Sequence, residues 1–226
     1  MSPASPVLAA VFDLDDCLVD TAGAFAAWSQ CFADAHGVPV DEVRAVNALH
    51  AGLRHAFFAD LRDRYTLKAT ITKLHADYRR DCAELTPYRP EVCRMIRALS
   101  DTGWRMAVLT NGSPDAQWIK LRRSGLHRFF PRHRVVISGD YGPRKPDRQL
   151  FDIALDSLRA RTAAMVGDSL EDDIAGGGAA GLHTVWVSHG QPLQRGGARP
   201  DRVVATVTEA AHYLLTTTDL SMPIPA

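Results

Sequence analysis

Two aspartates two residues apart, Asp13 and Asp15, close the apolar run Val7-Leu8-Ala9-Ala10-Val11-Phe12. Side chains alternate along a strand, so residues i and i+2 point to one side. If that geometry carries into the following loop, the two carboxylates converge on one small volume. Converging carboxylates repel unless a cation or a proton separates them. The pair therefore points to a divalent metal, or to one carboxyl used as an acid. A turn of solvated residues uses the same letters, so the rest of the chain must decide.

Three further strand ends carry residues of the same kind. Thr110-Asn111 follows Val108-Leu109 directly. A hydroxyl and the open amides of a strand-to-helix turn can hold phosphate oxygens, although Asn111-Gly112 also suits an ordinary turn. Lys145 lies in Gly142-Pro143-Arg144-Lys145-Pro146-Asp147, where two prolines stiffen the backbone. A lysine held in that way is a fixed point charge toward phosphate, with Arg144 the weaker rival. Asp168 follows the apolar run Ala163–Val166 in Gly167-Asp168-Ser169-Leu170-Glu171-Asp172-Asp173. A carboxylate there is costly without a partner, and Mg2+ takes such oxygen ligands. Glu171, and with less force Asp172, also fits the acidic first turn of a helix.

The elements that would position these residues read as follows. Val7–Phe12 is a buried strand. Thr21–His36 repeats apolar residues at helical spacing and stops at Gly37. Asp41–Val46, Leu49–Arg64 and Lys68–Leu85 read as further helices, and Pro87 and Pro90 break the chain. After that, helices and strands alternate: helix 91–102, strand 105–109, helix 114–124, strand 134–137, helix 148–159, strand 163–166, helix 171–180, strand 184–187. Gly190–Pro200 is a loop, Val203-Val204 a short last strand, Val207–Thr216 a last helix and Asp219–Ala226 a frayed tail. Alternation of this kind implies a parallel sheet covered on both faces. The fold class expected is thus α/β, a doubly wound parallel sheet built from residues 1–19 and 88–226. Residues 20–87 form an inserted all-helical block.

The composition suits this plan. The chain has 226 residues, 46% hydrophobic and 23% charged, enough for a sizeable core. Its formal net charge is zero, so no broad attraction to nucleic acid or an anionic membrane is implied. Cys17, Cys31, Cys82 and Cys93 form no CxxC pair and read as reduced thiols of an intracellular protein. Neither a leader peptide nor a stretch of transmembrane length is apparent. The cytoplasm is the expected location.

Together the motifs resemble those of the haloacid dehalogenase superfamily, most closely its phosphatase branch with a helical cap. Asp13-Leu14-Asp15-Asp16-Cys17-Leu18-Val19-Asp20, Leu109-Thr110-Asn111-Gly112, Lys145-Pro146-Asp147 and Gly167-Asp168 through Asp172-Asp173 stand in the family's order. The family usually has Gly-Thr where this chain has Asp16-Cys17, and a buried, inert Cys17 is the expected outcome. The resemblance implies a Rossmann-like core with residues 20–87 as the cap. It implies Asp13 as nucleophile, Asp15 as general acid and base, and Lys145 as the catalytic cation. Phosphate would be held by Thr110, Asn111 and Lys145. Mg2+, the implied cofactor, would be held by Asp13, Asp15 through its carbonyl, and Asp168. Asp173 and Asp172 would stand behind these, Asp173 orienting Lys145 or metal-bound water. The partner implied is a small phosphorylated metabolite, with no nucleic acid and no membrane, and with the chain a monomer or homodimer. An acid two residues after the nucleophile favours an alkoxide leaving group over a halide, which places 2-haloacid dehalogenation behind phosphatase chemistry. A phosphomutase keeps both aspartates, and a catalytically silent binding protein could keep the fold. Trp28, His50, Arg54, His55, Phe57 and Lys68 of the helical block could face a substrate, although core packing or a solvated face accounts for each.

Overall fold

This computed structural model describes residues 8–50, 53–193 and 196–217. The N-terminal start, including Val7, and the tail Asp219–Ala226 lie outside them. The chain divides into two compact units, Met1–Val19 with Tyr88–Ala226, and Asp20–Pro87.

The first unit is the expected doubly wound sheet. Its strands are β1 (Ala9–Phe12), β2 (Arg105–Thr110), β3 (Val135–Ile137), β4 (Ala164–Gly167), β5 (His183–Val187) and β6 (Arg202–Val204). They pair in parallel in the order β3-β2-β1-β4-β5-β6. β1 is wholly buried because both its faces are covered. Ala10 and Phe12 pack with Val92, Ile96 and Leu99 of α5 (Pro90–Asp101) and Leu214 of α10 (Val207–Thr216). Ala9 and Val11 face the other way, onto Leu150, Phe151 and Ala154 of α8 (Arg148–Leu158). The period of two thus explains an uninterrupted apolar run. With β2 and β3 on one side of β1 and β4 to β6 on the other, the strand order reverses between β1 and β4. Open α/β sheets bind ligands outside the carboxyl ends of strands at that point. Asp13 and Asp168 directly follow these two strands.

The second unit holds α1 (Thr21–His36), α2 (Val40–His50), α3 (Arg54–Tyr65) and α4 (Ile71–Glu84). The Asp20 side chain caps α1 by accepting from the Gly23 amide at 2.7 Å, and Gly37 ends it in a left-handed conformation. Trp28, Phe32, Phe57, Phe58, Leu61 and Leu74 form the unit's own core. The helix read as Leu49–Arg64 is divided: His50 ends α2 and Arg54 opens α3. Residues 51 and 52 between them lie outside the described ones. The helix read as Lys68–Leu85 starts later, because the Thr70 hydroxyl caps the Lys73 amide.

The helix read over 171–180 also differs. Leu170–Ala175 winds as a wide π-type turn, with the Ile174 amide donating to the Ser169 carbonyl. One α turn follows, α9 (Gly176–Ala179). A Cβ on Gly176 would lie 2.8 Å from the Phe151 ring and 2.9 Å from Pro146, so close packing keeps this poor helix former in place. Among the described residues, no helix is long and apolar enough to cross a membrane.

Candidate active site

β1 carries its ladder past its end, since the Asp13 amide donates to the Val166 carbonyl at 2.8 Å. The chain then turns tightly. Asp16 takes a left-handed φ of 54° and the Val19 amide returns to the Leu14 carbonyl at 2.9 Å. Cys17 lies inside this turn, 1% exposed, with its Sγ 3.6 Å from the Val166 carbonyl. Burial and the charges of Asp13, Asp168 and Asp173 push its thiol well up, which makes it a packing residue and not a thiolate nucleophile.

Lys145 is 3% exposed, whereas Arg144 is open to solvent. Its ammonium sits between the carboxylates of Asp13 and Asp173, in a close contact with Asp13 and 2.7 Å from Asp173. Burial alone would lower this lysine, but the two carboxylates more than offset it and hold the ammonium charged. Asn111 fixes the loop beneath. Its Oδ1 accepts from the Lys145 amide at 2.9 Å, and its Nδ2 donates to the Lys145 carbonyl and to Asp172, each at 3.1 Å. The Asn111 side chain thus clamps the lysine's backbone, and its main-chain amide stands at the strand end.

Burial raises Asp13 well above the ordinary carboxylate range, and Lys145 only partly counters it. Asp173 is raised for the same reasons. Asp168 is pushed up to about 6, first by burial and then by the charges of Asp173 and Asp16. Carboxylate oxygens of Asp13, Asp168 and Asp173 all lie within 4.8 Å of one another. Both Asp173 oxygens are engaged, by the Lys145 ammonium and by the Ser169 amide at 3.0 Å. Asp13, Asp15, Thr110, Asn111, Lys145, Asp168, Asp172 and Asp173 line one open cavity of about 180 Å³. So many carboxylates repel one another and any phosphate unless a cation enters. Hard oxygen donors crowded together in this way suit Mg2+. Glu171 points to solvent.

Four residues at this site went unread in the sequence. On α6 (Pro114–Arg123), Lys120 ion-pairs with Asp15 at 2.7 Å and Gln117 donates to it at 2.9 Å. Trp186 Nε1 donates to the Asp168 carbonyl at 2.8 Å, and His189 Nε2 donates to the Asp16 carbonyl at 2.7 Å. The signal for the α6 pair was present. The helix opens just after Asn111, and residues three apart share a face.

In the helical unit, Trp28 and Phe57 are core residues, and His55 and Lys68 are exposed. His50 bonds Asp60 at 2.9 Å. The Arg54 guanidinium lies over the rings of Phe25, Phe57 and Tyr78 and donates to Asn47.

Comparison with known proteins fits this geometry. A family model described as haloacid dehalogenase-like hydrolase matches residues 7–181. Glyceraldehyde 3-phosphate phosphatase of Pyrococcus abyssi is 33% identical over 211 residues, which are 80% of this chain and 81% of that protein. Pyrimidine 5'-nucleotidase YjjG of Escherichia coli is 31% identical over 166 residues, 72% of this chain and 71% of that protein. Among solved structures, the HAD-hydrolase YfnB of Bacillus subtilis bound to magnesium superposes with a TM-score of 0.74. It is 24% identical and covers 93% of this chain and 99% of that one.

Proposed function

The chain belongs to the haloacid dehalogenase-like hydrolases, and from that premise we propose that it is a phosphatase of small phosphorylated metabolites, working through an aspartyl-phosphate on Asp13. The observation that carries this reading is the separate tethering of two neighbouring carboxylates. Asp13 is held by Lys145, and Asp15 is held by Lys120 and Gln117. Two carboxylates in different settings suit two different roles.

Asp13 attacks phosphorus, a form of covalent catalysis open to carboxylates. Lys145 keeps it oriented and offsets charge as the phosphoryl group approaches. The Thr110 hydroxyl and the Asn111 amide hold phosphate oxygens. Asp15 gives its proton to the departing alkoxide, then takes one from the water that cleaves the intermediate. Asp13 and Asp168 through their carboxylates, and Asp15 through its carbonyl, would hold Mg2+. When bound, that ion neutralises charge between nucleophile and substrate. Asp172 and Asp173 brace Asn111 and Lys145 from behind.

The curated relatives named above act, by their names, on a triose phosphate and on pyrimidine nucleotides, so the family alone does not select the substrate. Discrimination is assigned to the helical unit Asp20–Pro87. A halide leaving group would give Asp15 nothing to protonate, which sets dehalogenation aside.

Phosphate release from a panel of phosphorylated metabolites, with Mg2+ and with EDTA, tests the proposal. Release that needs the metal, is strongest for one compound and is abolished in Asp13→Asn supports it. Substantial turnover by a clean Asp13→Asn preparation would remove Asp13 from its role. A mutase would instead pass the phosphoryl group to a second hydroxyl.

A further inference from the structure

We propose that Lys120 and Gln117 are positioning residues that aim the Asp15 carboxyl, and that Gln117 ties this aim to the phosphate contact of Thr110. The inference rests on Asp15 being the acid and base of the reaction above.

Gln117 and Lys120 stand three residues apart on α6, so they project from one face. They engage the two carboxylate oxygens separately. Lys120 Nζ is 2.7 Å from Oδ1, and Gln117 Nε2 is 2.9 Å from Oδ2. Rotation of the carboxyl about its Cβ–Cγ bond would break both contacts at once. Without them the orientation would be loose, because the Asp15 side chain is 32% exposed. An ion pair that is partly open to water adds little stability, so stability is a weak reason for it.

Gln117 is the more demanding member. It is 1% exposed, and a buried amide is costly unless it is bonded. Its Nε2 also reaches Thr110 Oγ1 at 2.6 Å and the Asn111 carbonyl at 3.3 Å. One amide therefore touches the acid-base carboxylate, the proposed phosphate-binding hydroxyl and the backbone between them. Gly112 allows this, since a Cβ there would lie 3.0 Å from the Gln117 amide carbon and nitrogen. Each catalytic aspartate also has its own lysine from a different element, Lys145 for Asp13 and Lys120 for Asp15. Neither carboxylate competes for the other's partner.

A brace that merely supports α6 and an aiming device differ in one measurable respect. Loss of aim matters most when the leaving group needs a proton. The test is kcat on p-nitrophenyl phosphate and on phenyl phosphate, with Mg2+, for wild type, Lys120→Met and Lys120→Arg. Thermal unfolding is followed in parallel. Lys120→Met is expected to slow phenyl phosphate on the order of 10-fold more than p-nitrophenyl phosphate, and Lys120→Arg to restore most of that difference. Equal slowing of both esters overturns the inference and leaves the phosphatase reading intact. Wild-type protein that releases phosphate from neither ester overturns both. If Lys120→Met does not fold, Lys120→Ala, which also removes the donor, carries the same comparison.

Discussion

Lys145 stands where two buried carboxylates would otherwise face each other. Asp13 and Asp173 are both raised by burial, and the ammonium between them is what makes their charges tolerable. Breaking such a group by removing one partner costs about 3–5 kcal/mol. Lys145→Met is therefore expected to lower the unfolding free energy in EDTA, read from urea titration, by an amount of that order; a value equal to wild type would contradict this. Asp168 gives the opposite sign. Its folded pKa of about 6 lies above the unfolded value near 4. Its favourable contribution is full below the unfolded value and is lost as pH rises through 6. Asp168→Asn without metal should thus be at least as stable as wild type at pH 8. Saturating Mg2+ should raise the Tm of wild type and not that of Asp168→Asn, whereas equal shifts would place the ion elsewhere. The sequence pointed to Asp13, Thr110, Lys145 and Asp168 because each sits at or beyond a strand end, and strand ends gather at one edge of a parallel sheet. It did not point to Gln117, Lys120, Trp186 or His189. Their contacts depend on how α6 is rotated about its axis and where the chain runs after β5, and neither is a local property.

At the scale of elements, strands were the most legible part because each is a compact apolar run with a polar stop. β1, β2, β4 and β5 fall within about a residue or two of where the pattern places them. Helix boundaries were less so, since caps such as Thr70 and packing such as Gly176 on Phe151 are settled by neighbours. β5 also opens on a residue that pattern alone cannot explain. His183 is buried, with Nε2 2.9 Å from the Tyr213 hydroxyl of α10. Burial pushes its ring below the ordinary imidazole range, and Asp201 counters this only in part. A depressed base stabilises the fold above its unfolded pKa of about 6.5 and loses that contribution as pH falls below it. His183→Gln should therefore lose less stability than wild type between pH 7.5 and pH 5.5, read as urea midpoints. Parallel losses would mean that the ring does not titrate differently in the two states.

At the scale of the molecule, the helical stretch interrupts the chain between the first of the four site motifs and the other three. Composition changes little there, but the period of the apolar residues does, from two and continuous runs to the helical spacing of Phe25, Trp28 and Phe32. Among the described residues, the two hydrophobic clusters that clothe the sheet draw only on residues before Asp20 and after Pro87, and the aromatic cluster only on residues between them. A unit with its own core can in principle fold alone. A chain in which a short Gly/Ser linker joins Val19 to Tyr88 is therefore expected to unfold in a single cooperative transition. It keeps every residue assigned to phosphoryl transfer, so p-nitrophenyl phosphate should still be hydrolysed with Mg2+. What it lacks is the unit to which discrimination is assigned, so the spread of kcat/KM across the metabolite panel should narrow by at least about tenfold, equivalent to roughly 1.4 kcal/mol of lost selectivity. A shortened chain that folds and keeps the full spread would move specificity into the sheet-bearing unit. One that folds but does not hydrolyse even the activated ester would show that the helical unit supplies part of the chemistry itself.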